Sequence, residues 1–227
     1  MTIELIEKNS MESTSEYVYR VLKKNIIDMH LVPGQNISEK EMADVLHVSR
    51  TPVREGFIKL AQEELLDIYP QKGTYISMID LNHVEESRFM RASLEQAVIK
   101  LACKAFPAEV LFELQLNLNM QELCVGENNH DKLFKLDEDL HGLIFTGCNK
   151  KRVWMAIQQM STHFNRVRIL NLATSLHWEN IVAEHRQVME AIKNKDGAQA
   201  ESVIEQHLAR VIYDQAELKI QYPDYFK

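Results

Sequence analysis

Glycine and proline are scarce: the 227 residues hold seven glycines and five prolines. Architectures built from many short strands need a turn residue roughly every 10 positions. A β-sandwich or barrel is therefore excluded, and a mainly helical protein is expected. Cysteine is also rare. The three cysteines, Cys103, Cys124 and Cys148, are an odd number with no CxxC spacing, which argues against a disulfide framework and for free thiols in a reducing compartment. No apolar run approaches the roughly 18 residues that cross a bilayer. The opening stretch MTIELIEKNS carries acids where a signal peptide carries bases. The chain thus reads as soluble and cytoplasmic, with no membrane partner. An excess of positive charge is absent as well: the formal net charge is −7, so any contact with nucleic acid must rest on locally placed bases.

What is present is an ordinary globular mixture, 45% hydrophobic and 26% charged, long enough for one large domain or two smaller ones. The pattern suggests two, over residues 1–78 and 79–227. In the first, Ser13 or Ser15 caps a helix whose apolar face is Val18, Val21, Leu22 and Ile26, and Pro33 and Gly34 close it. Ser38 with Glu41 three residues on has the spacing of a capping box, followed by Met42, Ala43 and Leu46. Ser49 is placed to cap a third helix, with Pro52 in its first turn, where a missing N–H costs little. There Val53, Phe57, Leu60 and Ala61 face inward. Arg50 and Arg54 share the opposite face beside Thr51. Three short helices of this kind describe a helix-turn-helix, whose last helix presents its N-terminal residues to base edges. Arginine can hold guanine O6 and N7 with two hydrogen bonds, and both arginine and threonine can hold phosphate. Two β-rich runs, Leu66–Tyr69 and Thr74–Met78, flank PQKG and predict a small hairpin wing with Lys72 at its tip. The bland alternative for Arg50 and Arg54 is a solvated helix face.

The stretch LVPGQNISEKEMADVLHVSRTPVREGFIKLAQEELLDIYPQKGTYIS resembles the winged-helix domain of the GntR family of bacterial transcription regulators. The resemblance implies that Arg50, Thr51 and Arg54 contact operator DNA. It adds Lys40 on the second helix, and Lys72 with Gly73 as the wing tip. His47 and Glu64 stand where many members have glycine, which implies strained turns. Gly56 stands where alanine is usual, at a cost of about 1 kcal/mol in helix preference.

From about residue 80 the pattern is helix after helix, with Val84, Phe89, Leu94, Val98, Leu101 and Ala102 as the apolar positions of the first. Breaks at Asn149, around Thr174–Ser175 and at Lys195–Gly197 divide the region into an all-α bundle of about six helices. In KLDEDLHGLIF, residues 135–145, three acids and a histidine fall within five positions. His141 follows Asp137 by four, so both share a helix face, with Glu138 as competitor at three. His185 lies beside Val182 and Met189, and His207 near Ile204, on what should be inward faces. Each alone has a dull reading, a hydrogen-bonded core histidine or a surface pair. Three inward histidines and a carboxylate on three helices could instead share one ion. Imidazole suits zinc and nickel.

This region in turn resembles the FCD ligand-binding domain of one GntR subfamily, through RASLE, LDEDLH and EHRQVMEAIKNKDGAQAESVIEQHL. In its metal-binding members the matching positions imply Asp137, His141, His185 and His207 as ligands of a divalent transition metal, zinc or nickel. Glu138 is then left as an outer or surface acid and Asp139 as solvated charge. A small carboxylate effector would complete such a site beside a cation. Arg91 is the first candidate, weighed against a surface salt bridge to Glu95. Arg166, Arg168 and Asn171 are further candidates, and His163 is either a pocket or a surface residue. The expectation is a dimeric regulator of a palindromic double-stranded DNA operator rather than an enzyme. A metal sensor with the ion as effector is the alternative, and a metal-dependent hydrolase or lyase a more distant one. No nucleophile constellation or phosphate-cradling glycine loop is present in the sequence.

Overall fold

Ser13 begins the first helix, and its hydroxyl accepts from the N–H of Glu16 while the Glu16 carboxylate takes the N–H of Ser13. This reciprocal cap opens α1 (Thr14–Ile27) in a computed structural model that describes residues 3–127, 129–174, 178–213 and 215–227. A two-residue strand β1 (Asn36–Ile37) follows, then α2 (Glu39–Leu46), α3 (Arg50–Gln62), β2 (Leu66–Tyr69) and β3 (Gly73–Ile76). Ser38 caps α2 through the Glu41 N–H. Ser49 stands at the start of α3 with no side-chain cap bond, unlike the expectation. The strands pair antiparallel in the order β1-β3-β2. β1 carries no alternation of its own, and it exists because β3 offers a free edge. Met78 lies beyond β3, which ends at Ile76.

The chain divides into two compact units, and the division is not a single cut. The first comprises Met1–Val84, Thr162–Val167 and Glu217–Lys227. Its core is Val18, Val21, Leu22, Ile26, Leu46, Val53, Phe57, Leu60, Leu65, Ile76 and Ile79, all buried, with α3 packed on α1 and α2. Gly56 is the point of closest approach: a Cβ there would lie 3.1 Å from Val18 Cγ1 and 3.4 Å from the Tyr19 nitrogen. The two turns that the family resemblance implied to be strained are left-handed, His47 at φ 54° and Glu64 at φ 57°, a conformation that costs a residue with a side chain more than glycine. The added segments dock through hydrogen bonds. Thr162 Oγ1 donates to the Glu63 carbonyl, and Arg166 donates to Ser77 Oγ (3.2 Å) and the Ser77 carbonyl (2.6 Å). His163 Nε2 donates to the Glu64 carbonyl (3.0 Å) while Nδ1 accepts from the Asp80 N–H (3.1 Å). Near residue 226 the chain forms a parallel bridge to Ile79, and Lys227 Nζ lies 3.1 Å from Asp80 Oδ2.

The second unit, Glu85–Ser161 with Arg168–Ala216, is helical. Beyond residue 80 the described residues form α4 (Leu81–Lys104), α5 (Ala108–Gly126), α6 (His130–Gly147), α7 (Lys151–Met160), α8 (Thr162–Thr174), α9 (Trp178–Lys193), α10 (Gly197–Tyr213) and α11 (Gln215–Gln221). That is eight helices where about six were expected. One extra comes from a break at Ser161. Its hydroxyl takes the Ile157 carbonyl at 2.7 Å, a side-chain bond that competes with the helix ladder, and the backbone leaves the helix there. The other is the short α11. Part of the break expected at Thr174–Ser175 lies outside the described residues. α5 packs against α6 and α9, and α9 against α10. They close over Val98, Ile99, Leu114, Leu118, Leu140, Ile144, Phe145, Ile157, Val188, Ile192, Ile204 and Leu208. Phe89 and Leu101, expected inward, are exposed at 67% and 40%. They sit off the stripe formed by Val98, Ile99 and Ala102. No helix among the described residues is long and apolar enough to cross a membrane.

Candidate metal centre and DNA-reading face

Three apolar stripes carry the polar cluster inward. On α6 the buried positions include Leu133, Asp137, Leu140, His141 and Ile144; on α9, Val182, His185, Val188, Met189 and Ile192; on α10, Ala200, Val203, Ile204, His207 and Leu208. Each repeats at helical spacing, so the burial that fixes the helices also drives one or two polar side chains into the core. One ligand atom from each of Asp137, His141, His185 and His207 lies within 4.8 Å of all the others.

The histidines are held from behind. His141 Nδ1 lies 2.6 Å from Glu95 Oε2, His185 Nδ1 2.7 Å from Gln121 Oε1, and His207 Nδ1 3.0 Å from Glu184 Oε2. Carboxylates and an amide oxygen only accept, so the Nδ1 of His185 and of His207 is placed to donate, and each Nε2 is left to point inward. Those Nε2 atoms converge on Asp137: His141 at 3.9 Å from Oδ2, His185 at 3.5 Å and His207 at 4.0 Å from Oδ1. The Nε2 atoms of His141 and His185 are fully buried without a hydrogen-bond partner. Buried nitrogens with lone pairs aimed at one point beside a carboxylate fit a divalent cation, and acceptors behind the imidazoles are the usual outer support of metal-binding histidines. Burial holds His185 well below the usual imidazole range, with His207 adding to it. Burial pushes the Asp137 carboxyl up, but Arg168 and the three histidines outweigh it and keep it well below the carboxylate range.

Two arginines close the acid side. Arg91 is 1% exposed and donates to Glu95 (2.5 Å) and Glu138 (2.9 Å). The pair with Glu95 is therefore real but buried, not a surface bridge. Arg168 donates to both Asp137 and Glu138. Glu138 is thus an inner acid shared by two guanidinium groups, whereas Asp139 is exposed. Trp154 roofs the cluster. Its ring stacks on His141 at 6.2 Å and 17°, and the Arg91 guanidinium lies 5.2 Å from its centroid. Gly142 makes room for it, since a Cβ there would meet Trp154 Nε1 at 2.9 Å. Asn171 is buried on α8, one turn beyond Arg168. Arg166 is committed to Ser77 and His163 to Glu64 and Asp80, all in the first unit. Neither pairing was readable from residues 80–100 positions apart. Gln121 and Glu184 were missed as well. Glu184 stands next to His185 in the sequence, which is a signal of a kind, whereas Gln121 has none.

On the first unit Lys40, Arg50, Thr51 and Arg54 are exposed. The first two turns of α3 carry three of them, and Arg54 is held by Glu39 of α2 through two bonds, Nε to Oε1 (2.9 Å) and Nη2 to Oε2 (3.0 Å). Lys72 and Gly73 form the exposed tip of the β2–β3 hairpin, with the Lys72 N–H on the Tyr69 carbonyl. Gly73 sits at φ 116°, where a Cβ would meet Asn36 Nδ2 at 2.8 Å, so no other residue fits that position without strain.

A winged helix-turn-helix with an exposed basic first turn on its third helix, in a chain that also holds a helical bundle with a buried ligand cluster, defines a DNA-binding regulator. The chain belongs to the GntR family of bacterial transcription regulators and carries an FCD domain: residues 14–76 match the family described as bacterial regulatory proteins, gntR family, and residues 86–210 match the FCD domain. It is similar to the HTH-type transcriptional repressor RspR of Escherichia coli (strain K12), 29% identical over 226 residues, 100% of this chain and 99% of that one. It also resembles an HTH-type transcriptional regulator in an unstable DNA locus of Streptomyces ambofaciens, 32% identical over 215 residues, 92% and 88% of the two chains. Among solved structures, E. coli McbR/YncC shares the fold with a TM-score of 0.79 at 20% identity, covering 93% of this chain and 100% of that one. The chain is a transcription regulator and not an enzyme.

Proposed function

We propose that this regulator binds a palindromic double-stranded operator as a homodimer, and that a small carboxylate metabolite, bound at a divalent transition metal in the FCD domain, alters that binding. The convergence of three imidazole nitrogens and one carboxylate oxygen within 4.8 Å of one another carries the reading. Asp137, His141, His185 and His207 would hold the ion, with zinc or nickel suited to the imidazole-rich set. The ion would supply positive charge and open coordination for a carboxylate. The chain's own residues do the rest. Glu95, Gln121 and Glu184 orient the imidazoles, and Arg91 and Arg168 offer planar donor pairs that match a carboxylate's two oxygens. Both arginines are engaged by Glu138, so a ligand carboxylate replaces an existing ion pair rather than burying a lone charge. On the reader, Arg50, Thr51 and Arg54 enter a major groove, with Lys40, Lys72 and Gly73 at its edges. In a twofold dimer two such helices face successive grooves. The effector regulates because it favours one of two arrangements of the dimer over the other.

Elemental analysis of purified protein tests the site. Wild type should carry or take up about one equivalent of zinc or nickel per chain, and His185→Ala and His207→Ala should lose it. A wild-type protein that takes up neither ion refutes the assignment. Arg50→Ala should weaken operator binding, by about 1–3 kcal/mol for a base contact, with metal content unchanged. DNA binding that responds to metal alone, with no carboxylate added, would favour the ion itself as effector.

A further inference from the structure

We infer that Glu39 is the specificity-setting residue of the DNA reader, acting through Arg54: it clamps one edge of the guanidinium and leaves the other to read a guanine. The inference rests on the reading that Arg54 reaches a base. Arginine has two edges with paired donors, the side edge Nε/Nη2 and the end edge Nη1/Nη2. Both oxygens of Glu39 are spent on the side edge, at 2.9 and 3.0 Å. The end edge then points along the side-chain axis, away from α2. Guanine O6 and N7 accept from just such a donor pair, whereas adenine presents a donor at the matching position.

The clamp is built from firm parts. Glu39 is the first residue of α2, behind the Ser38 cap, where the helix dipole favours a carboxylate. α2 packs on α3, and the Glu39 side chain is 31% exposed against 68% for Arg54. Arg54 in turn holds the Glu39 carboxyl below its ordinary range, so the clamp stays charged. A surface ion pair of this kind adds little to stability. It does change what Arg54 can do. A free arginine would swing to any phosphate, while a clamped one with its charge offset by Glu39 is a poor phosphate contact and a directional base contact. Glu39 therefore trades non-specific affinity for discrimination.

The test is selection of bound duplexes from a random-sequence library by the full chain, for wild type, Arg54→Ala, Glu39→Gln and Glu39→Ala. Wild type should enrich half-sites with a guanine whose preference Arg54→Ala abolishes. Both Glu39 variants should flatten the preference at that same position. On the wild-type-selected duplex Glu39→Gln should bind roughly tenfold more weakly, while on an unrelated duplex of equal length it should bind as well or better. Its plot of log K against log salt should steepen by up to about 1 as Arg54 turns to phosphate. Melting temperatures within about 3 °C of wild type separate this from misfolding. If Arg54→Ala removes the guanine preference and both Glu39 variants keep it, the clamp is refuted and the reader assignment stands. If Arg54→Ala leaves every preference intact, the reader assignment fails and the clamp with it.

Discussion

Replacing Gln121 with leucine removes one hydrogen bond from the cluster and leaves all four ligands in place. The amide is pinned: its Nε2 donates to Asn117 Oδ1 at 2.7 Å and lies 3.4 Å from the Leu136 carbonyl. Oε1 must then face His185 Nδ1, as it does at 2.7 Å. In the leucine variant the empty site has an escape. His185 can move its proton to Nε2 and donate toward Asp137, 3.5 Å away. Binding an ion would force that proton back to Nδ1, where no acceptor remains in a fully buried pocket. The penalty for a buried N–H without a partner is about 1–3 kcal/mol, and it falls on the metal-bound state. This matches the 10- to 100-fold loss typical of outer-ligand removal, about 1.4–2.7 kcal/mol. Gln121→Glu keeps an acceptor and should hold zinc at least as tightly as wild type. Competition against a chromophoric chelator at fixed pH measures both, with the metal-free melting temperature as control. A leucine variant that binds zinc within twofold of wild type refutes the argument that Gln121 sets the tautomer of His185.

Asp137→Asn should lose most metal affinity while Asp139→Asn keeps it, because only the first is buried among the histidines; isothermal titration with zinc distinguishes them. Gly56→Ala recovers about 1 kcal/mol of helix preference but must push Val18 or the α1 backbone, so it should not raise stability. Gly56→Val should lower it by about 1–3 kcal/mol in denaturant unfolding; a stabilised alanine variant would show that α1 yields. Burial, with the charges of Arg166, His83 and Lys227, pushes His163 down to about 3. The unfolded chain therefore binds the extra proton between about pH 6.5 and 3, and this contribution is full above pH 6.5 and lost as pH falls. Between pH 6.5 and 5 it should cost about 2 kcal/mol, seen as a steeper fall in melting temperature for wild type than for His163→Gln. Equal slopes would refute it.

Local rules made much of the first unit readable. Ser13 with Glu16, Ser38 before α2, and the apolar spacing of α1 and α3 are signals that neighbours in sequence complete by themselves. β1 was invisible because two residues have no period. The break at Ser161 was masked because apolar positions continue across it, from Trp154 and Ile157 to Phe164 and Val167. For the cluster, inward periodicity placed His141, His185 and His207 on buried faces, since a helix stripe can be counted. It could not give their outer partners. Gln121 meets His185 across 64 residues and reads as one polar residue in an apolar helix. The buried state of Arg91 was equally hidden, because a pair with Glu95 four residues on looks the same at a surface and in a core. Arg166 and His163 went to the first unit through contacts spanning 83–99 residues, beyond the reach of any local pattern.

The indole stacked on His141 gives the cluster a built-in optical reporter. The chain has two tryptophans, and Trp154 stacks on a proposed ligand ring. Trp178 lies among Cys124, Leu133 and Val182, so a Trp178→Phe protein would emit from the cluster alone. Ions with a partly filled d shell, such as nickel, quench a nearby indole strongly, while zinc, with its full shell, does not. The colour and intensity of one buried ring would then tell which ion has entered, in solution and without a label, while DNA is bound or withheld.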